Sequence, residues 1–550
     1  MDRRTSKIPF PVSKGKNFLY PLSLFFLLLP FLHCPTKTKD LSKPCFIEDV
    51  EKTALERVGE QEDGSVVLYT GRKIQPWGKW VSTGTFPLNA TYTPSGTLAV
   101  VMSGNDDVTL PERARRFGIP WATSSSQSID FVDLSRGTLL YTLPVKSLFY
   151  GVAWHPSGVT LYASGGGRDL IREIEWNPTS YTAREVTTYR IFGYPTGIAL
   201  KKDGKTILVA LMHRHRVVEY FLPERKVVRE FVVEGAPLEI ILSSDEKKAF
   251  VSNWGSNTVS ILDLTSGKTV THVVVGKNPE GMALSPDEGF LYVAVSDEDT
   301  VAKMDLKKFQ VESFSLHDPG GNLGISPTDL FYHPSGKLYI TTAFDNTVYV
   351  MDPEKGTIVG AIPAGMHPTR ILLDPYRNQW IIINAKGKGS RPNTAREFVG
   401  GIISGSVQLV EENLPEEKLK EGLKKVQEMN NIFTNLYGDT CKGKEFPVPF
   451  EFGKRSSFIR HVVFIMRENK TYDSYLGDLG PEYDGDPNLV LFGEEITPNL
   501  HKLARTFSNM TNFYNESDQS VQGHVWVSIG FVNDFTEKNW IAMWGRSGEA

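Results

Sequence analysis

The chain has 550 residues, too many for one ordinary hydrophobic core, so two domains and a targeting segment are expected. With 40% hydrophobic and 23% charged residues the composition is globular, and 48 Gly with 33 Pro count against a helical bundle. A formal net charge of −4, with the basic residues spread along the chain, argues against a nucleic-acid partner, which demands a concentrated positive face.

At the N-terminus, Arg3, Arg4, Lys7, Lys14 and Lys16 precede an apolar run from Phe18 to Leu32 that ends at Cys34. Pro21 and Pro30 interrupt the run, which is short for a span of about 20 residues, so residues 1–34 read as an export signal. Cys34 stands where a lipoprotein signal places its acylated cysteine, although His33 is not the small residue such signals prefer. A signal peptide and a lipoprotein signal both remain open. The expected location is periplasmic or cell-surface, with membrane attachment through this segment in the second case. An oxidising compartment permits Cys45 and Cys441 to pair, two separate thiols being the alternative. Residues 35–59 are read as a linker.

Residues 60–410 carry a repeat. Its unit is Pro, one residue, two or three apolar residues, a Pro-Ser-Gly-like turn and an alternating apolar strand. Pro195, Pro237, Pro279, Pro327 and Pro368 mark it at successive steps of 42, 42, 48 and 41 residues. Earlier copies surround Pro87 and Tyr150, which makes seven units. Runs such as "KAFVSNWGSNTVSILDL" have the alternation and turn residues of hairpins. A period near 40 to 45 residues with about four short strands reads as propeller blades. "FVSNWGSNTVSILDLTSGKTV" and "LYVAVSDEDTVAKMDL" resemble the bacterial surface-protein propeller repeat named for its Tyr-Val-Thr-Asn run. That resemblance implies a fold and no chemistry. His155, His213, His215 and His333 lack a second ligand at metal spacing and read as turn residues. The glycines at 165–167 lack the Lys-Ser or Lys-Thr of a phosphate loop.

Residues 411–457 form a helical linker. Leu419, Leu423, Val426 and Met429 recur at helical spacing, Pro415 suits the first turn, and Glu421 is expected to pair with Lys425. An extended connector follows.

In residues 458–550, His461–Met466 ("HVVFIM") has the continuous apolar character of a strand buried on both faces of an α/β sheet. Ligands bind beyond the carboxyl ends of such strands, where Glu468 and Asn469 follow. A carboxylate beside an amide oxygen is a hard-oxygen pair suited to a divalent cation, and equally a helix cap. Ser520 precedes a stretch with helical character, so its hydroxyl is expected at a helix N-terminus that favours an oxyanion, with His524 one turn on. An N-cap serine with a surface histidine is the plainer alternative. Asp484, Asp486, Asn488 and Glu495 have calcium-loop spacing but fail it, since Leu489 stands at the glycine position.

The stretches "HVVFIMRENKTYDSYLGDLG", "GDPNLVLFGEEITPNLHKLARTFSNMTNFY" and "SVQGHVW" resemble the phosphoesterase family that includes bacterial phospholipases C and acid phosphatases, of the alkaline-phosphatase superfamily. The resemblance implies that Glu468 and Asn469 are first metal ligands, that Ser520 is the nucleophile and that His524 orients or contacts the phosphate. Tyr472 and Asp473 are expected to fix the loop. Val521 and Gln522 depart from the Ala-Asp that related members carry after the nucleophile, and the family's downstream Asp and His ligands have no counterpart up to Ala550. The fold expected is therefore mainly β, a seven-bladed β-propeller followed by the N-terminal part of an α/β phosphoesterase domain. The function expected is metal-dependent hydrolysis of phosphate esters, with a divalent ion as cofactor and a protein or ligand on the propeller face. The alternative is a non-catalytic surface binding protein with an incomplete phosphoesterase segment.

Overall fold

The computed structural model describes residues 58–102, 127–317, 324–389, 403–430, 447–448, 455–467, 470–511, 513, 517–518, 520–530 and 532–543, without the side chains of 520, 521 and 540–543. The export segment, Cys34, Cys45, Cys441, Glu468 and Asn469 lie outside the described residues.

Short alternating runs separated by tight turns fold hairpin upon hairpin, giving seven four-stranded antiparallel sheets among the described residues. Six use strands consecutive in the chain. In one, Pro237–Leu242, Lys248–Asn253, Thr258–Asp263 and Lys268–Val274 lie side by side in that order. Its first strand opens with four buried residues, whereas its last exposes alternate positions to water. First strands touch one another in succession, from Pro87–Tyr92 through Val152–Trp154, Pro195–Leu200, Pro237–Leu242, Pro279–Leu284 and Pro327–Tyr332 to Met366–Asp374. The last then touches the first, so the ring closes. This is a mainly β, propeller-like architecture, and each repeat anchor found in the sequence lies in or just before a first strand.

The seventh sheet joins the two ends of the repeat region. Met366–Asp374, Gln379–Gly387 and Ser404–Glu411 are completed by Lys79–Thr85, paired through Val81 with Val407 and Lys79 with Leu409. Ahead of it, Gly59–Glu60, Val66–Val67 and Lys73–Ile74 make a separate three-stranded sheet, whose apolar side packs on Met366.

The repeated proline has a local reason. Phe86, Tyr194, Ala236, Asn278, Ser326 and His367, each just before an anchor proline, adopt φ between 51° and 62°. Such a left-handed turn costs a non-glycine residue about 1–2 kcal/mol, and the proline fixes the following φ. Proline has no N–H for the ladder, and the register shifts directly after Pro87, Pro195, Pro237, Pro279 and Pro327. Side chains then stitch one first strand to the next. Thr196 donates to the Pro237 carbonyl at 2.7 Å, Thr328 to that of Pro368 at 2.8 Å, and Thr369 to that of Pro87 at 3.0 Å.

The amphipathic helix forms as Glu416–Asn430, with the Leu419 N–H bonded to the Pro415 carbonyl. Leu419 and Val426 are buried in two different core clusters, so the helix lies across a sheet instead of hanging free as a linker. Glu421 bonds Lys418, not Lys425: an i,i+3 partner is equally within reach, and the Lys418 ammonium also sits 4.5 Å from the centre of the Trp77 ring.

The expected strand at His461–Met466 is absent. Val462 and Val463 are 83% and 84% exposed, and among the described residues from 455 onward there is no strand. A doubly buried strand needs partners for both rows of its backbone N–H and C=O groups, and this stretch supplies none. Helices occur instead at Tyr472–Leu476, Pro498–Thr506, Ser520–Ile529 and Asp534–Met543.

The long helix approaches its sheet so closely that a Cβ at Gly422 would lie 2.1 Å from the Ala361 carbonyl oxygen. Alanine is the better helix former by about 1 kcal/mol, but overpacking costs about 1–3 kcal/mol and dominates here. Gly422→Ala is therefore expected to lower the midpoint of thermal unfolding, and a raised midpoint would contradict the close approach.

Candidate functional site

The left-handed turns before the first strands gather Phe86, Tyr194 and Ala236 into one apolar cluster with Phe149, Tyr150, Leu238 and Trp254. His367 stands 5.8 Å from Phe86, ring to ring. Onto this mouth of the ring comes the helix Asp534–Met543. Asn533 caps it, accepting from the Thr536 N–H at 3.0 Å, and the Phe535 ring lies 4.5 Å from that of Trp254.

Two lysines, one from each side, fasten the tail. Lys538, from the tail, donates to Glu280, which follows an anchor proline, and forms an ion pair with Asp534 at 2.5 Å. Asp534 also meets His367 Nε2 at 2.9 Å. All four side chains are at most 2% exposed. Burial, then the neighbouring Asp534, pushes the Glu280 carboxyl well above its ordinary range. Burial acts on Asp534 in the same sense, but Lys538 first and His367 after it overcome it and hold that carboxyl low. Lys538 stays charged, since Asp534 and Glu280 outweigh its own desolvation. The cluster thus sets the Lys538 ammonium between two buried carboxyl groups whose affinities for a proton burial and the neighbouring charges drive apart, Glu280 upward and Asp534 downward.

Lys386, from the propeller strand Gln379–Gly387, makes the reciprocal contact. Its ammonium lies 2.7 Å from Asp518, 2.9 Å from Glu537 and 3.2 Å from the Tyr69 hydroxyl. Asn533 adds a 3.0 Å bond to Asp297, which Asn278 also reaches at 2.8 Å.

Inside the ring, Arg370 bridges Glu239 and, at 3.1 Å, Asp329. The Asp329 carboxylate accepts the Ile371 N–H at 2.9 Å, and Glu239 accepts that of Met282 at 3.0 Å, again linking sheet to sheet. Burial lifts the Asp329 carboxyl to about 7, against the pull of Arg370.

Of the residues singled out from the sequence, Ser520 is the first residue of the helix Ser520–Ile529, as its surroundings predicted, and His524 lies one turn on with its side chain exposed. Glu468 and Asn469 fall outside the described residues. Among the described residues no group of three or more His, Cys, Asp and Glu is placed to hold a metal ion. The described side chains do not by themselves make up a metal-binding set. Asp473 accepts the Asp486 N–H at 2.9 Å and the Tyr472 hydroxyl accepts from Asn509, beyond the helix Pro498–Thr506, at 2.9 Å. His155 and His333 each bond the serine of their own turn, at 2.8 and 2.7 Å. Missed from the sequence were His367, Lys386, Glu280 and the tail's Asp534 and Lys538. The one signal was position, since His367 and Glu280 flank anchor prolines.

The described residues contain no helix long and apolar enough to cross a membrane. No protein-family model matches the chain, and no curated protein matches it. Among solved structures, hydrazine synthase of Kuenenia stuttgartiensis aligns over 60% of this chain and 96% of that one, at 17% identity and a TM-score of 0.46. Similarity at that level carries no functional argument, and the propeller-like architecture rests on the sheets themselves.

Asp329 binds a proton in the folded chain that the unfolded chain gives up near pH 4. Its contribution to stability is complete below about pH 4 and is lost as pH rises to about 7, with a slope of up to about 1.4 kcal/mol per unit. Asp329→Asn removes that slope. Denaturant unfolding from pH 4 to 8 should show wild type losing stability relative to the variant across this window, and parallel profiles would contradict the assignment.

Proposed function

We propose that the chain is an exported, seven-bladed β-propeller that carries on its mouth the leading segment of a metal-dependent phosphoesterase, acting on phosphate esters through Ser520. The observation that carries this reading is the fastening of the Ser520 segment. The residues around Ser520 and the helix after it are tied to the ring by Lys386, Lys538, His367 and Asn533. A propeller with no task toward this segment has no need of so many buried polar contacts, each of which is costly unless fully paired.

The reading is supported further by the start of a ten-residue helix at Ser520, since the N-terminal end of a helix dipole favours a phosphate. His524 is exposed one turn along and accessible to the same ligand. A divalent ion belongs to the proposal through the family resemblance of Glu468 and Asn469, which would supply two of its donors. Membrane attachment through the N-terminal segment belongs to it in the same way.

A second reading, a non-catalytic surface propeller that binds a partner, is favoured by the exposed run Val462, Val463, Phe464 and Ile465, which forms no sheet. The two are separated by hydrolysis of an aryl phosphate by the full chain with added magnesium, zinc or calcium. The phosphoesterase reading predicts turnover that falls by at least about 10³-fold in Ser520→Ala. Absence of turnover in both proteins, or equal turnover in both, would leave the binding reading.

A further inference from the structure

Resting on the phosphoesterase reading, we propose that Lys386 of the propeller is a positioning residue for Ser520, clamping the chain on both sides of it. Two residues before Ser520, Asp518 receives the Lys386 ammonium at 2.7 Å. Two residues after it, Gln522 is fully buried and donates to Glu537 at 2.8 Å, while its own carbonyl oxygen accepts the Asp518 N–H at 2.9 Å. Glu537 in turn meets Lys386 at 2.9 Å. The circuit Lys386, Asp518, Gln522, Glu537 therefore closes around the first turn of the helix that starts at Ser520.

The clamp is stiff at its base. Lys386 is 4% exposed, extends from the strand Gln379–Gly387 inside a four-stranded ladder, and is braced by the Tyr69 hydroxyl at 3.2 Å. A charged donor in a dry site fixes its acceptors more firmly than a neutral one. Gln522 also acquires a reason: the amide both donates to Glu537 and accepts from Asp518, which an aspartate at this position could not do with one charged, acceptor-only side chain. Lys386 itself contacts Asp518 and Glu537. Its effect passes through Asp518 and Gln522 to the direction of the helix start.

The test uses the full chain in three forms, wild type, Lys386→Met and the double variant Lys386→Met with Asp518→Asn. The single variant leaves two buried carboxyl groups without their cation and is expected to destabilise the tail. The double variant removes one of the two carboxyl groups left without a cation and so is expected to recover part of the stability, while the anchor stays absent. For aryl phosphate hydrolysis with magnesium or zinc, kcat is expected to fall about 100-fold in both variants with KM within about twofold, because misplacement of a reacting group by about 1 Å has that effect. Recovery of kcat together with stability in the double variant overturns the proposal, since Lys386 would then only neutralise charge. Hydrogen exchange at the amides of 517–524 provides a readout independent of turnover. A rise of about 10-fold in both variants, with the blades unchanged, supports the clamp, and unchanged exchange overturns it. Wild-type chain without turnover defeats the phosphoesterase reading alone, and the exchange result then decides the clamp by itself.

Discussion

Everything described depends on closure of the ring by a strand from its far end. Lys79–Thr85 pairs with Ser404–Glu411 and completes the seventh sheet, bridging more than three hundred residues of chain. Closing so long a loop costs entropy that grows only slowly with length, and the ladder and the contacts of the first strands offset it. Without that strand Ser404–Glu411 would become the outer edge, with one row of its backbone N–H and C=O groups left unpaired. Closure also creates the mouth: Phe86 and His367, which meet there, lie at opposite ends of the repeat, and the Thr369 hydroxyl reaches the Pro87 carbonyl across the same seam.

The mouth is where the tail becomes part of the fold. Buried ion pairs add little net stability against apolar replacements, but an unpartnered buried charge is severely penalised, so such pairs favour one register over its alternatives. Asp534 and Lys538, one helical turn apart, can meet His367 and Glu280 together only in one setting of the helix. Phe535 against Trp254 supplies the apolar contact between them. The polar contacts thus specify how the tail sits, and the apolar contact contributes much of the attraction.

The blades were legible because their physics is local. Proline spacing, alternating apolar residues and turn residues each act within a few positions, and every anchor found in the sequence lies in or just before a first strand. The helix Glu416–Asn430 was legible for the same reason, but Gly422 was not read as a contact point, because its meaning comes from Ala361 some sixty residues away. His461–Met466 misled: an unbroken apolar run reports burial only if other strands are present to cover it, and its own residues cannot say so. The mouth escaped reading almost entirely. Lys386, Glu280 and Lys538 look like solvated charges one at a time, and only the ring and the docked helix bring them together in a dry place. For Ser520 the start of the helix was legible, while the reason for Gln522 beside it emerged only from its bonds to Asp518 and Glu537.

The seating of the tail on the ring is tested most directly by a double-mutant cycle between Glu280 and Lys538. Glu280→Gln and Lys538→Met, made singly and together in the full chain, are compared through the opening free energy of residues 532–543 read by hydrogen exchange. Direct contact in a dry cluster predicts a coupling of at least about 1 kcal/mol. Effects that add to within about 0.3 kcal/mol would mean that the two residues do not meet, and that the tail is not held where the structure puts it.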